Sequence, residues 1–291
     1  MNVPLYSSKY SKKTYTIHQH LLCLCIKEIQ RQSYRDCRDF LDEFDKLQEI
    51  LELTKVPHFT TMQKSLQRFP PRWYKMILKR LIGLLKSRAN AVVDGTGVMQ
   101  TTASYSYINR IGRTIRKRDY FKIIIVIDPD DGLILTHQGT HGHRHEAPFF
   151  IQLLEDIPAE LGEVCGDKAF DSEKNQRYVI KHRRAQSYVD VKGNPKRGKH
   201  RKRVYAHKHA DQWKQRYTQM RNAIESKNFS FKHQFGDYIP GNNIHNRRRY
   251  LAIRIFAANL ITLHKSKNTI LFCVIIEDFY MTSLSFHHLG I

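Results

Sequence analysis

Apolar positions in the first 85 residues recur at the spacing of α-helices. Ser33 followed by Asp36 is the pattern of a helix N-terminus, in which the two side chains cap backbone amides. An apolar stripe follows at helical spacing and consists of Phe40, Phe44, Leu47 and Leu51. The pattern predicts an amphipathic helix that begins after Ser33.

A second helix is predicted after a break at residues 56–59. Thr60 and Gln63 have the spacing of a second capping box. The predicted buried positions are Met62, Leu66 and Phe69, and the outward positions are Lys64, Gln67 and Arg68. Two helices with a short break and a basic outer face are typical of a helix-turn-helix that reads DNA, and equally of an ordinary helical hairpin. We predict a small all-α, helix-turn-helix-like DNA-binding domain over residues 1–85, with Lys64 and Arg68 as DNA contacts.

From residue 89 the pattern changes to β-strands. Residues 91–93 are apolar and end at Asp94, and residues 122–127 form a largely β-branched run suited to a buried strand. Residues 128–132 (DPDDG) have strong turn chemistry, and residues 133–137 are apolar enough to return as a partner strand. This part of the chain therefore predicts one strand followed by a β-hairpin.

Short helices and strands alternate after the hairpin. Residues 147–157 and 171–182 are predicted helices, and residues 162–166 and 187–191 are predicted strands. A basic stretch, residues 192–208, precedes a further helix and is predicted to be a loop. The order of strand, strand, strand, helix, strand, helix, strand, helix predicts an α/β sandwich with a mixed sheet, with its hairpin first and its crossovers later.

The end of the chain divides into one more helix and a tail. Residues 247–263 are amphipathic and are predicted to form the last core helix. The tail, residues 265–291, has apolar runs without caps; it could add a strand to a sheet edge, contact a second subunit, or have no function. We therefore predict a catalytic domain over residues 86–264, after the helical domain and before this tail.

The net charge narrows the class of partner. The chain has 49 Lys and Arg against 27 Asp and Glu, a formal charge of +22, which favours a polyanion such as nucleic acid. No apolar run approaches the ~18 residues of a spanning helix, so no membrane partner is expected. The first residues lack the apolar core of a signal peptide, and the five cysteines are scattered without a CxxC pair. We expect an intracellular protein with buried, reduced thiols.

Residues 217–232 (YTQMRNAIESKNFSFK) carry the sharpest signal in the chain. At about 100° per residue, Arg221 and Glu225 lie about 40° apart around a helix, and Arg221 and Lys232 about 20° apart. Tyr217 lies on the same stripe. One acid flanked by two cations, in so basic a chain, indicates a metal-dependent site that acts on a polyanion. A solvated surface helix with alternating charges is the alternative.

Three acids occupy positions at which a site could form. Asp94 and Asp167 each end a predicted strand, and Glu225 lies on the helix that follows the last strand. Three carboxylates at one point repel one another and so require divalent metal. Two Mg²⁺ ions about 4 Å apart can activate the attacking oxygen and stabilise the leaving oxygen in phosphodiester chemistry. Gly95 and Gly166 would allow a sugar-phosphate backbone to approach closely.

These motifs resemble those of the DDE transposases of prokaryotic insertion sequences. The resemblance spans about residues 57–263 and rests on Asp94-Gly95-Thr96, on residues 166–171 (GDKAFD) and on Arg221-x3-Glu225-x6-Lys232. The subgroup with a Tyr-x2-Arg-x3-Glu-x6-Lys signature fits best. This sequence departs from that signature at one point, because Tyr217 precedes Arg221 by four residues instead of three.

The resemblance implies both a fold and a chemistry. The fold is a ribonuclease-H-like (retroviral-integrase-like) mixed sheet with flanking helices. Asp94, Asp167 and Glu225 would be the catalytic acids and would hold two Mg²⁺ (or Mn²⁺) ions. The enzyme would cut at the ends of the element and free a 3′-hydroxyl, which attacks target DNA. Arg221 and Lys232 would hold phosphates, and Tyr217 would stack on a base or pack beside the strand.

The resemblance also implies partners and a cellular setting. The partners are double-stranded DNA, both element ends and target, and a homo-oligomer is expected when two ends are synapsed. The setting is the prokaryotic cytoplasm, in association with the nucleoid. Two rival functions remain open: a ribonuclease-H-like nuclease that cuts without joining, and a non-catalytic DNA-binding relic of a mobile element.

Further polar clusters are interpreted as structural. His141, His143 and His145 alternate and could bind zinc, but the spacing and the adjacent Gly142 favour a polar loop at the edge of the active cleft. Asp171 is interpreted as a helix cap. The acids of residues 128–131 are explained by turn chemistry, and the basic run at residues 196–202 fits a solvated loop and a DNA-phosphate contact equally well.

Overall fold

The computed structural model describes residues 4–100, 110, 112 and 120–266. The predicted tail lies outside the described residues apart from its first two positions. Four cysteines, Cys23, Cys25, Cys37 and Cys165, are buried free thiols, as predicted; Cys273 falls outside the described range. No helix in the described part of the chain is long and apolar enough to cross a bilayer.

The N-terminal region is helical, as predicted. Its helices are α1 (Ile17–Ile29), α2 (Tyr34–Glu43), α3 (Asp45–Ile50) and α4 (Phe59–Arg68). Ser33 caps α2 in a capping box with Asp36, which confirms that sequence signal. The structure adds α1, which the apolar pattern did not single out; Thr16 caps it through a capping box with Gln19.

Two details of the predicted helices were wrong. The apolar stripe from Phe40 to Leu51 is not one helix, because the chain breaks at Phe44, whose side chain is 49% exposed. The second helix begins at Phe59 and is capped by His58, not by Thr60. The ring Nδ1 of His58 accepts from the backbone amide of Thr60 at 3.4 Å, so an imidazole takes the place of the predicted hydroxyl cap.

Helix α4 has the predicted two faces. Met62, Leu66 and the following Phe69 are buried, whereas Lys64 and Arg68 are exposed. The burial of one apolar stripe against α1 and α2 leaves the basic positions on the opposite face. A role of this face in reading DNA stays a prediction.

The described chain divides into two compact units. One comprises residues up to Ile77 together with those from Arg249 onward, and the other comprises Leu78–Arg248. In the first unit, helix α10 (Ile244–Lys265) contributes Arg254, whose Nε donates to the buried carboxylate of Glu28 at 2.7 Å. Packing alone does not decide where independently folding domains begin, so the boundaries at residues 86 and 264 stay predictions.

The second unit contains a five-stranded mixed sheet. The strands are β1 (Arg88–Met99), β2 (Tyr120–Ile127), β3 (Ile134–His141), β4 (Glu160–Gly166) and β5 (Gln186–Val189). Their spatial order is β3-β2-β1-β4-β5. Pairs β3/β2 and β2/β1 are antiparallel, and pairs β1/β4 and β4/β5 are parallel. This order and these directions confirm the predicted ribonuclease-H-like mixed sheet with its hairpin first.

The hairpin forms as its sequence predicts. Strand β2 is almost entirely buried, as expected of its β-branched run. Its turn closes through Gly132, which has a φ of +73°, and through the side chain of Asp128, which accepts from the amide of Asp130 at 3.1 Å. The acids of this turn are therefore structural. Strand β1 is longer than predicted, because residues 94–99 continue the antiparallel pairing with β2.

Further helices precede, separate and follow the strands along the described part of the chain. They are α5 (Pro71–Leu85), α6 (Phe150–Glu155), α7 (Glu173–Arg177), α8 (Lys199–His207) and α9 (Asp211–Phe235). Short 3-10 turns at Ala147–Phe149 and Lys168–Phe170 and a π-helical turn at Tyr178–His182 complete the predicted helical segments. The 25-residue α9 contacts β1 and β4, and this contact brings its side chains to the acids of the sheet.

Candidate active site

Asp94 and Asp167 directly follow the last paired residues of two adjacent parallel strands. The parallel pairing of β1 with β4 ends at Val93 opposite Gly166. Asp94 immediately follows Val93, and Asp167 immediately follows Gly166. Asp94 has only 15% of its side chain exposed. Burial raises the pKa of Asp94; the Arg221 charge opposes this rise, and the nearby Asp167 carboxylate adds to it.

Asp167 is held by its own backbone. Its Oδ1 accepts from the amide of Ala169 at 2.8 Å and so caps the 3-10 turn at Lys168–Phe170. Asp167 is therefore the cap of this turn. Because the cap uses one oxygen, the other remains available to a ligand.

Two side chains of helix α9 donate hydrogen bonds to the two carboxylate oxygens of Asp94. The Nη1 of Arg221 donates to Oδ1 at 3.0 Å, and the Nδ2 of Asn228 donates to Oδ2 at 2.8 Å. The other guanidinium nitrogen, Nη2 of Arg221, donates to Glu225 Oε1 at 3.2 Å. One arginine thus links the strand acid to the helix acid, and the site brings together two residues that are far apart in sequence.

Asn228 is the site residue that the sequence did not reveal. It lies seven positions after Arg221 and three after Glu225, so helical geometry places all three on neighbouring parts of one face. That spacing was the available signal. An asparagine beside charged residues on a basic helix carries no distinctive chemistry until α9 is known to pack on β1.

Lys232 and Tyr217 do not join the Asp94, Arg221 and Glu225 network through a hydrogen bond or ion pair that the structure shows; each contacts a different residue. The Nζ of Lys232 lies 3.4 Å from Asp237 Oδ1, just beyond the end of α9. The ring of Tyr217 stacks on Trp213 with centroids 5.0 Å apart. Burial raises the pKa of Tyr217 to about 12, so its hydroxyl is neutral at physiological pH. One face of this ring is occupied by Trp213, and contacts of both residues with DNA stay predictions.

The carboxylate oxygens of Asp94, Asp167 and Glu225 are of the type that a hard divalent cation prefers, but in the described part of the chain they are not arranged as a metal site. Aspartate and glutamate oxygens are the ligands that Mg²⁺ and Mn²⁺ prefer. Among the described residues, however, no cluster of three or more His, Cys, Asp or Glu could hold a metal ion. This covers the acids Asp94, Asp167 and Glu225, and also His141, His143 and His145. The Arg221 guanidinium supplies the positive charge that faces Asp94 and Glu225.

Both glycines beside the aspartates are explained by packing within the protein. A Cβ on Gly95 would lie 2.5 Å from the carboxyl group of Glu146, which also pairs with Lys122 Nζ at 3.0 Å. A Cβ on Gly166 would lie 3.2 Å from the ring of Phe170. The expectation that these glycines admit a sugar-phosphate backbone is therefore replaced by room for neighbouring side chains.

The basic stretch before α9 is not a loop throughout, because it contains α8. Glu173 of α7 fixes the start of this helix by accepting from the amides of His200 and Arg201 at 3.2 and 3.1 Å. Arg201 in turn donates twice to Asp171, at 2.9 and 2.6 Å. Asp171 is thus an ion-pair partner, and the predicted cap of α7 is instead Ser172, which accepts from Asn175 at 3.0 Å.

The anchored helix presents cations to solvent. The exposed lysines and arginines of this stretch are Lys192, Lys196, Arg197, Lys199, Lys202 and Arg203. Arg201 and Lys208, by contrast, point to acids of the sheet unit, since Lys208 donates to Asp190 at 3.1 Å. The inward cations fix α8 to the sheet, and the outward cations form a surface that suits a polyanion.

Comparison with protein-family models identifies a family for this chain. Residues 87–260 match the family model described as Transposase DDE domain. The matched range covers more than half of the chain and contains β1, β4 and α9 together with Asp94, Asp167 and Glu225. A comparison with curated proteins gives no match.

Proposed function

Because the chain belongs to the transposase DDE-domain family, we propose that it cuts DNA at the ends of an insertion sequence and joins the freed 3′-hydroxyl to target DNA. The family implies a transposase or nuclease type of enzyme that acts on DNA. The observation that carries the finer proposal is the pair Asp94 and Asp167 on adjacent strands, with Arg221 and Asn228 fixing the first of them to α9.

We propose that Asp94, Asp167 and Glu225 are the catalytic acids. They would hold Mg²⁺ or Mn²⁺, two ions in the full site, since transposases of this family generally use divalent metal. The bound metal would supply the charge that activates an attacking oxygen and stabilises a leaving one. Carboxylate oxygens are the ligands that these ions prefer, which supports this assignment.

The residues around the acids have separable tasks. Arg221 and Asn228 hold the Asp94 carboxylate in one orientation, because each donates to a different oxygen of it. Arg221 also offsets negative charge at Asp94 and Glu225, so the acids can lie close together before DNA arrives. Its charge, with that of Lys232, would then hold phosphates beside the scissile bond.

DNA would be held by cations on both units. The outward residues of the α8 stretch lie on the unit that contains the acids, and Lys64 and Arg68 of α4 lie on the other. Each neutralised phosphate releases counterions and adds affinity that falls with salt. Two element ends must be held for joining, so we propose a homo-oligomer in the synapsed state.

A joining assay tests the proposal. A labelled duplex that carries the element end is incubated with plasmid and Mg²⁺ or Mn²⁺, with the wild type, Glu225→Gln or Asp211→Asn. The last variant is the matched control, because it also removes a carboxylate from α9 but at a fully exposed position. Wild type and Asp211→Asn should join the duplex, and Glu225→Gln should not.

Three other outcomes would contradict parts of the proposal. Cleavage without joined product by the wild type would indicate a nuclease. Joining by Glu225→Gln at the wild-type rate would remove Glu225 from the site. DNA binding without cleavage by any of the three proteins would favour the DNA-binding relic.

A further inference from the structure

A tight turn after β3 places two histidines and an arginine together. The amide of Arg144 donates to the carbonyl of His141 at 3.1 Å, and the amide of Gly142 donates to the carbonyl of Tyr120 at 2.9 Å. A Cβ on Gly142 would lie 2.7 Å from that same carbonyl oxygen, so a larger residue could not make this turn. The rings of His141 and His143 stack with centroids 5.8 Å apart.

Two further arginines come from the start of α10. The Nε of Arg248 donates to the carbonyl of Gly139 at 2.8 Å, which fixes its guanidinium beside β3, two residues before His141. The Nε of Arg247 is buried and has no hydrogen-bond partner among the residues that the structure describes. A buried guanidinium nitrogen without an acceptor is costly, so an anion that reaches the Arg247 guanidinium would be stabilised there.

These five residues, His141, His143, Arg144, Arg247 and Arg248, form what we call the histidine–arginine cluster. Burial lowers the pKa of His141, and the charges of His143, Arg144, Arg248 and Arg247 lower it further. Burial and the charge of Arg144 likewise lower the pKa of Arg248. His141 therefore lies within electrostatic reach of the other four members.

No acid balances this charge within the turn itself. The adjacent Glu146 pairs with Lys122, whose Nζ lies 3.0 Å from its Oε1 and also donates to the carbonyl of Arg144 at 2.9 Å. The carboxylate of Glu146 is thus already matched by a cation. A group of like charges that the fold holds together is stabilised when an anion binds among them.

We propose that the histidine–arginine cluster binds a backbone phosphate of the DNA on which this protein acts. The proposal rests on the proposed function for the identity of its partner. Arginine guanidinium groups recognise phosphate oxygens through paired hydrogen bonds, and histidine rings add donors. The same surroundings oppose zinc, because three arginines raise the cost of placing a cation beside His141 and His143.

The position of the cluster suits DNA next to the reacting bond. Glu146, two residues after Arg144, lies against Gly95, which immediately follows Asp94. The turn is therefore tied to the strand that carries the first acid of the candidate active site. We infer that the phosphate bound here belongs to the segment that flanks the cut and not to a distant part of the duplex.

A binding measurement without metal tests this site apart from catalysis. A fluorescent 30-base-pair duplex of arbitrary sequence is titrated with protein in EDTA at several salt concentrations. The test variant is Arg144→Gln/Arg247→Gln. The matched control is Arg177→Gln/Lys181→Gln, which removes two exposed cations near β5, at the opposite edge of the sheet. Because Arg248 holds Gly139, it is left unchanged.

The test variant should bind about 10-fold or more weakly, with the slope of log affinity against log salt reduced by about 1, since each phosphate contact contributes about 0.9. The control should stay within about twofold of the wild type. Equal affinity and slope for test and control variants would overturn the proposal. Should Arg144→Gln/Arg247→Gln not fold, His143→Gln/Arg144→Gln, whose side chains are both exposed, answers the same question.

Titrations with inorganic phosphate and with zinc test whether the histidine–arginine cluster binds a different ligand. Inorganic phosphate that binds the wild type tightly, with no difference between variants on DNA, would indicate a free-anion site and overturn the proposal. Zinc bound by the wild type and lost in His141→Gln/His143→Gln would also overturn it. If the wild type binds no duplex at all, both this site and the proposed function are rejected. If the wild type binds the duplex and the test variant binds it equally well, this site alone is rejected and the proposed function stands.

Discussion

Arg221 on α9 donates to Asp94 on β1 at 3.0 Å, although 127 positions separate the two residues in the sequence. The same guanidinium donates to Glu225 at 3.2 Å. The first of these hydrogen bonds attaches α9 to β1. Together they link Glu225 on the helix to Asp94 on the strand. The contact joins Asp94 and Glu225 through one guanidinium group, and Asp167 follows the end of the strand that pairs with the strand of Asp94.

The Arg221 contact predicts a stability effect that divalent metal should offset. In Arg221→Gln, the largely buried Asp94 loses its only cationic partner among the described residues, and we expect the free energy of unfolding to fall by about 1–3 kcal/mol. Mg²⁺ should then raise the melting temperature of the variant more than that of the wild type, because metal replaces the missing charge. Thermal unfolding with and without Mg²⁺ measures both effects; an equal rise in both proteins would contradict the account.

Asn228 should matter through the orientation of Asp94. Asn228→Ala leaves one Asp94 oxygen without its amide donor, and we expect about 1 kcal/mol of lost stability and a joining rate lowered about 3- to 30-fold. Ser230→Ala, at an exposed position two residues on, is the control. Rates and urea midpoints of the three proteins test this; a fully active Asn228→Ala protein would show that the hydrogen bond has no catalytic consequence.

Gly95 and Glu146 should be coupled. Gly95→Ala places a methyl group where the Glu146 carboxyl group now lies, so this side chain must leave Lys122, at a cost of about 1–2 kcal/mol. In a Glu146→Ala background the same change should cost little, since alanine suits a strand better than glycine. A double-mutant cycle by urea unfolding gives the coupling. Equal costs in both backgrounds would mean that the two groups do not compete for space.

His20 predicts a pH dependence of stability in the N-terminal unit. Burial, helped by the charge of Arg68, lowers the pKa of His20 from 6.5 to about 4, and its Nδ1 has no hydrogen-bond partner among the described residues. The fold therefore favours the neutral ring. Stability is full above pH 6.5 and is lost as the pH falls towards 4, because the unfolded chain takes up the proton first. The loss should reach about 2–3 kcal/mol.

A substitution isolates this contribution from that of other histidines. His20→Phe keeps a ring between Tyr15 and Phe69, whose centroids lie 5.5 and 5.9 Å from that of His20, but cannot be protonated. The fall in urea midpoint from pH 7 to pH 5 should be smaller for this variant than for the wild type. His209→Gln, at an exposed position, should behave as the wild type. Unchanged pH dependence in His20→Phe would refute the assignment to His20.

The sheet could be predicted because its signals are local. A β-branched run gave β2, and the DPDDG turn gave the hairpin; the alternation of short strands with helices gave the crossovers. The Arg221 and Glu225 pair could also be predicted, since both lie within one turn of a single helix. What that pair would contact could not, because it depends on how α9 packs on β1.

Helix α8 shows why other features could not be predicted from the sequence. Its sequence is so basic that it suggests a solvated loop, and like charges along a helix oppose its formation. The helix is stabilised from a distance, by Glu173 at its first amides and by Asp171 on Arg201. These partners precede it by nearly 30 residues. Asn228 was missed for the same reason, because its partner Asp94 is distant in sequence.

The central claim is that Asp94, Asp167 and Glu225 bind metal together, and iron-directed cleavage of the polypeptide tests it most directly. Fe²⁺ in place of Mg²⁺, with ascorbate and peroxide, produces radicals that cut the backbone beside the bound ion, whether or not the enzyme turns over. The account predicts cuts near all three acids, suppressed by excess Mg²⁺, absent in Asp94→Asn and retained in Asp211→Asn. Cuts near only one acid, or cuts that persist in Asp94→Asn, would contradict a shared metal site.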